Sequence, residues 1–193
     1  MMLDTRQQIL QATEVVLATH GFQGLSMHKV AREAGIATGT IYCHFKDKED
    51  LLVQLCNTIR DRIAEKICAN VATSGSLFAR YRQLWLNIWN FCNQYPDQIN
   101  NQQQYDNVPG FSQPAWEEQL QRYAVWFALL EEGIASQQIL DLPRQVLSTL
   151  SLETAYSLFK RLHATGIELD DAMLERTIQA SWRSICQTAA DNE

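Results

Sequence analysis

Gly35-Ile36-Ala37-Thr38-Gly39-Thr40-Ile41-Tyr42-Cys43-His44-Phe45-Lys46-Asp47-Lys48-Glu49-Asp50-Leu51-Leu52 is the stretch on which the reading of this chain turns. Gly35 breaks whatever helix precedes it, and a very short helix follows over about 38–44. Ile41 and Phe45 stand four apart, so they share one face and pin that short helix to its neighbours. Thr38, Gly39 and Thr40 make the opposite, leading edge small and hydroxyl-bearing. Tyr42 and His44 point away from the apolar face. Asp47, Glu49 and Asp50 suit the positive end of a new helix dipole. Upstream, Ser26 caps a short helix carrying Val30, Ala31 and Ala34. Helix, glycine turn, short helix is helix-turn-helix punctuation.

The remaining elements follow outward from that core. Ile9, Ala12 and Val16, with Leu10, Thr13 and Leu17, lay one apolar stripe along a helix over 5–20. Asp4 and Gln7 have capping-box spacing at its start, and Gly21 marks its stop. Leu51, Leu52, Leu55, Ile59, Ile63 and Ile67 predict a long helix over 47–71, ended by Thr73-Ser74-Gly75-Ser76. Further helices are expected over 77–95, 114–138, 143–165 and 169–189, with an Asn- and Gln-rich connection over 97–113. No strand alternation of useful length and no internal repeat is present. The expected fold is all-α with about nine helices. It divides into a helix-turn-helix domain, 1–48, and a larger helical domain, 49–193.

Composition narrows the functional classes. The chain has 193 residues, 46% of them hydrophobic and 20% charged, enough apolar material for a core. No apolar run approaches the roughly eighteen residues of a membrane span. The Met1-Met2-Leu3-Asp4-Thr5-Arg6 start lacks signal-peptide character, so a cytoplasmic protein with no membrane partner is expected. The five cysteines are scattered without C-x-x-C spacing, which suggests neither a metal site nor a disulfide framework. Net charge is −6, but residues 24–48 carry four cations, Lys29, Arg32, Lys46 and Lys48, against two anions, Glu33 and Asp47. The locally basic stretch therefore coincides with the helix-turn-helix. The four histidines show no H-E-x-x-H spacing, and no phosphate loop or nucleophile elbow occurs; no catalytic residue and no cofactor is expected.

A narrow, small-residue leading turn is what entry into the major groove of duplex DNA requires. Thr38, Gly39 and Thr40 can meet base edges. Tyr42 and His44 can reach phosphate oxygens, as can Ser26 and Lys29 from the preceding helix. Lys48 together with the backbone N–H groups opening the next helix should form an anion site.

In the order and spacing of Ile9-Leu10, Ala12, Gly21-Phe22, Val30-Ala31, Ala34-Gly35-Ile36, Gly39-Thr40-Ile41-Tyr42, His44-Phe45, Lys48-Glu49 and Leu51-Leu52, the first 55 or so residues resemble the TetR/AcrR family of transcriptional regulators. The resemblance implies a homodimer built through the last two long helices, a palindromic operator, and release of DNA when a small molecule occupies the C-terminal domain. It would place phosphate contacts on Ser26, Tyr42, His44 and Lys48, and base reading on Thr38, Gly39, Thr40 and Cys43. Ala37 departs from the family pattern, standing where a capping Ser is common.

The C-terminal half is rich in aromatics, and large rings that pack incompletely leave cavities for flat or apolar molecules. The expected lining is Trp85, Trp89, Tyr105, Trp126 and Tyr156, with Asn101 and Gln102 as polar anchors. Few cations lie on these segments, which favours a neutral or cationic effector over an anionic one. Leu158, Phe159, Leu162, Leu174, Ile178 and Trp182 are the expected dimer interface, with ordinary packing inside one chain as the other reading. The competing reading for the whole molecule is a helical small-molecule- or partner-binding module without DNA readout.

Overall fold

A computed structural model describes residues 4–96 and 121–187 of the chain. Nine helices occur among the described residues, and the chain divides into two compact units, the first running to Arg62 and the second beginning at Ile63. Among the described residues no helix is long and apolar enough to cross a membrane.

In the first unit, α1 (Thr5–Gly24) buries Ile9, Leu10, Ala12, Thr13, Val16 and Leu17, the face its sequence spacing predicts. One expectation about its ends changes: Asp4 makes no side-chain cap bond, so the capping box does not form. Gly21 interrupts the regular helix as expected, at φ 65° and ψ 178°, a non-helical conformation that glycine adopts without steric cost, and a short helical piece continues to Gly24. Next comes α2 (Met27–Ala34), where the Lys29 N–H donates to Ser26 Oγ at 3.3 Å. Gly35 ends α2 in the left-handed region, φ 66°, and the following Ile36 N–H closes on Ala31 O. The third helix, α3 (Thr38–Tyr42), starts at Ala37 with no side-chain cap.

Asp47 and Asp50 open α4 (Lys48–Cys68). The Asp50 N–H donates to Asp47 Oδ1 at 2.9 Å, while Asp50 Oδ2 accepts the Lys46 N–H at 2.8 Å. The core of this unit joins Ile9, Val30, Ile41, Phe45, Leu51 and Leu55, each nearly or wholly inaccessible. Burying such a side chain contributes about 1.5–3 kcal/mol. Leu51, Leu52, Leu55 and Cys56 belong to that same cluster, so the first part of α4 packs within this compact unit.

The second unit takes in the end of α4, then α5 (Leu77–Gln94), α6 (Ala124–Ala135), α7 (Arg144–Leu150), α8 (Glu153–Thr165) and α9 (Asp171–Arg183). Asn87 of α5 donates to the Ile67 and Ala69 carbonyls, both at 2.8 Å, and so satisfies acceptors at the end of α4. The single helix expected over 143–165 is in fact two. Ser151, at φ −120° and ψ −90°, breaks it, and its hydroxyl bonds back to Leu147 O. The last helix ends at Arg183, short of 189, because the chain turns there. Ile139 and Cys186 then form an isolated antiparallel bridge, with the Leu140 N–H on Ile185 O at 2.9 Å. Tyr81, Leu84, Trp85, Leu129, Leu130, Leu147 and Ile178 make the centre of the core.

Candidate functional site

Local sequence makes α3 two-sided. Ile41 is fully buried and Phe45 is 1% exposed, with the Arg6 guanidinium 5.7 Å over the Phe45 ring. Immediately between them, Tyr42 is 54% exposed, and Gly39, Cys43 and His44 are also open to solvent. Thr38 and Thr40 are half-buried. The leading turn is thus presented outward while its rear is locked into the core. A Cβ on Gly39 would meet nothing within 4 Å, so that position stays open. Cys43 Sγ donates to Gly39 O at 3.4 Å, and Thr38 Oγ1 lies 3.2 Å from His28 Nδ1. His28 is exposed on α2 and was not among the residues singled out from sequence. Its pairing spans the glycine turn, and no helical spacing reports a contact of that kind.

The expected phosphate contacts sit in a more structured setting than the sequence suggests. Lys29 Nζ donates to Gly24 O at 2.9 Å and Lys48 Nζ to Phe22 O at 3.4 Å. Both ammonium groups therefore hold carbonyls at the end of α1, where the helix dipole is negative. Each still has two further donors. Ser26 is half-buried and its hydroxyl caps α2.

At the start of α4, where the anion site is expected, Asp47 accepts the Asp50 N–H and Asp50 accepts the Lys46 N–H, so two carboxylates lie beside Lys48. The Asp50 carboxyl is held below its ordinary range, first by the hydrogen bond from Gln54, then by the Lys46 N–H.

In the second unit the expected ligand residues part company. Trp85 is fully buried, stacked on Trp89 at 5.6 Å, with its Nε1–H on Thr154 Oγ1 at 3.2 Å. Trp126 is also buried, donating to Ser148 Oγ at 2.9 Å and lying 6.1 Å from the Tyr81 ring. Both are core residues with satisfied indole N–H groups. Trp89 instead borders a half-open cleft of about 760 Å³, shared with Asn90, Asn93, Phe159, Leu162, His163 and Glu168. Within it the Phe159 ring is edge-on to Trp89 at 6.2 Å and stacked with His163 at 5.3 Å. Tyr156 is half-buried, with the Lys160 ammonium 5.5 Å over its ring. Tyr105, Asn101 and Gln102 lie outside the described residues.

Of the residues expected at the dimer interface, two are packed within the chain itself and four are half-buried. Ile178 is fully buried and Phe159 4% exposed. Leu158, Leu174 and Trp182 pack half-buried on the same core, Trp182 lying 5.0 Å from the Tyr81 ring. Burial also governs the thiols: it pushes the Cys92 pKa up to about 12 and raises those of Cys68 and Cys186.

Comparison with known proteins finds matches in each of the two units. Residues 9–55 match the family model of bacterial regulatory proteins of the tetR family, and residues 76–186 match that of the tetracyclin repressor-like C-terminal domain. A helix-turn-helix transcriptional regulator of Haemophilus influenzae is 32% identical over 182 residues, covering 94% of this chain and 96% of that one.

The chain belongs to the TetR family of transcriptional regulators.

As a TetR-family member it carries a DNA-binding helix-turn-helix, and its relatives are regulators of transcription, not enzymes. A solved TetR-family regulator from Vibrio parahaemolyticus is 39% identical, covers 96% of this chain and all of its own, and superposes with a TM-score of 0.78. Another, from Haemophilus influenzae, is 30% identical over 95% of this chain and all of its own, with a TM-score of 0.74. The repressor AcnR of Corynebacterium efficiens is 32% identical over 89 residues, 45% of this chain and 47% of its own.

Proposed function

We propose that this TetR-family regulator is a repressor that binds a palindromic operator as a homodimer and lets go when a small-molecule effector occupies its C-terminal unit. The observation that carries the reading is the two-sided α3: Ile41 and Phe45 buried behind, Tyr42, Cys43 and His44 exposed in front. Thr38, Gly39 and Thr40 read base edges, while Ser26, Lys29, Tyr42, His44 and Lys48 fix the head on the phosphates. Lys29 and Lys48 each keep one bond to α1 and offer their remaining donors to the duplex. A two-fold dimer places its two reading heads about 34–36 Å apart, in successive major grooves. The similarity over 89 residues to a named repressor supports the sign of the regulation.

For the effector, the cleft bordered by Trp89, Phe159 and His163 is the favoured site. Its aromatic floor suits a flat molecule, and the amides of Asn90 and Asn93 supply orientation. Among the described lining residues Glu168 is a carboxylate and none is Lys or Arg, which favours a neutral or cationic molecule over an anion. Release follows when the effector binds the DNA-incompetent state more tightly than the competent one. The helix α4 is the connecting element, since it supplies Leu51 and Leu55 to the first core and Ile67 to the second. For the dimer seam, Leu158, Leu162, Leu174 and Trp182 keep part of their surface open, next to Met173, which is 52% exposed.

The decisive experiment is selection of a duplex site from a random library, followed by fluorescence anisotropy across salt concentrations. A selected palindrome and a steep salt slope are expected. A shallow slope with no preferred sequence contradicts the operator reading. Sedimentation equilibrium of the free protein, giving a monomer at micromolar concentration, contradicts the dimer.

A further inference from the structure

We propose that His28 is a positioning residue for sequence readout: it orients the Thr38 hydroxyl and thereby sets which kind of base edge that hydroxyl reads. The inference rests on the operator reading above. His28 occupies the second position of α2 and Thr38 the first of α3, and their side chains meet at 3.2 Å across the glycine turn. Ala37 provides no side-chain cap for α3, so the front of this five-residue helix lacks the usual restraint. Gly39, next to Thr38, places no side chain over the hydroxyl. The hydroxyl is therefore directed by the imidazole.

A threonine hydroxyl has one hydrogen to give and two lone pairs to accept with. Left to rotate, it serves equally for a base amino group or a base acceptor, and it discriminates poorly. When Nδ1 carries no hydrogen, it takes the Thr38 hydrogen. The hydroxyl then faces the groove as an acceptor, suited to the amino group of adenine or cytosine. When Nδ1 carries the hydrogen, the polarity reverses, and Thr38 donates to guanine or thymine acceptors. Either way the imidazole converts an ambivalent hydroxyl into a reader of one polarity. Lys29 and Lys48 are tied to α1 carbonyls and make no such contact with Thr38.

The test compares wild type, His28→Ala, His28→Asn, Thr38→Val and the double variant His28→Ala/Thr38→Val. Each is used to select sites from a random duplex library. Anisotropy then measures each protein on the wild-type site and on its single base-pair changes. Both His28→Ala and Thr38→Val are expected to lose discrimination at the same base pair of each half-site, by about fivefold, the worth of one hydrogen bond. Discrimination elsewhere is unchanged. The double variant loses no more than Thr38→Val alone, and His28→Asn, whose amide can bond Thr38, restores most of the preference.

Three results overturn the proposal: an unchanged selected site for His28→Ala, a uniform loss of affinity on all sequences, or additive losses in the double variant. If wild type itself selects no site, the operator reading fails and takes this one with it. If wild type selects a palindrome that His28→Ala leaves intact, only the present inference falls. Thermal unfolding midpoints should stay together across the set, because the bond is solvent-exposed.

Discussion

Ile41 and Tyr42 are neighbours in sequence with opposite surroundings, one fully buried and the other 54% exposed. Truncating them should separate folding from recognition. Ile41→Ala removes packed volume from the first core and is expected to cost about 2–5 kcal/mol in urea unfolding. Tyr42→Ala should change stability by no more than about 0.5 kcal/mol, yet weaken binding to all duplexes alike. A Tyr42→Ala protein as destabilised as Ile41→Ala would show that the ring is structural. The cysteines divide in the same way. Cys43 is exposed, whereas Cys56 and Cys92 are buried, and burial pushes the Cys92 pKa up to about 12. Iodoacetamide at neutral pH should label Cys43 first, leaving Cys56 and Cys92 protected until the protein unfolds, as peptide mass mapping would show. At this scale the sequence was informative wherever a residue's partners lie within a turn or two. Ser26 as a cap and the Ile41–Phe45 face were legible. The attachment of Lys29 and Lys48 to α1 carbonyls was not, because it depends on where the kinked end of α1 falls in space.

The helices fit their expected ranges best where a strong local signal ends them. Gly35 adopts the left-handed conformation required to finish α2, and Gly166 does the same for α8. The weak start of α3 offers a direct test. Ala37→Ser should supply the missing cap and stabilise the protein by about 0.5–1 kcal/mol, read as a raised urea midpoint at constant m-value. Asp50 lends α4 a pH dependence. Its folded pKa is depressed, so its contribution is present above the ordinary value of 3.8 and is lost as pH falls through the folded value. Asp50→Asn should be less stable than wild type at neutral pH and converge with it in acid; parallel curves would refute that role. Gly133, on α6, shows what pattern reading misses. A Cβ there would meet Ile139 Cδ1 at 2.3 Å, so Gly133→Ala should destabilise by about 1–3 kcal/mol. Adding Ile139→Ala should relieve the clash while leaving the cost of its own lost packing.

In the second unit, contacts between distant segments determine what each side chain does. Arg80 is 4% exposed and pairs with Glu132, which is 50% exposed, while its Nε has no hydrogen-bond partner among the described residues. Removing Glu132 strands a buried guanidinium, though solvent reaches the carboxylate and weakens the effect. Glu132→Gln should therefore cost about 1–2 kcal/mol, and chemical denaturation with no change in midpoint would contradict it. The same dependence on distant contacts separates the aromatics. Trp85 and Trp89 stand four apart on one face of α5, yet Trp85 is core, like Trp126 on α6, while Trp89 reaches the cleft. Ile178 looked suited to a partner chain and is buried within its own.

By itself the sequence determined the all-helical fold, the position of the helix-turn-helix and the inward face of its short helix. Caps, glycine turns and apolar spacing act over a few residues and are written in their order. Only the tertiary structure decided which apolar face meets a core and which borders a cleft, how the two lysines are held, and that His28 touches Thr38. An apolar stripe repeats with the same period whatever lies opposite it, so its partner is known only once the segments are brought together.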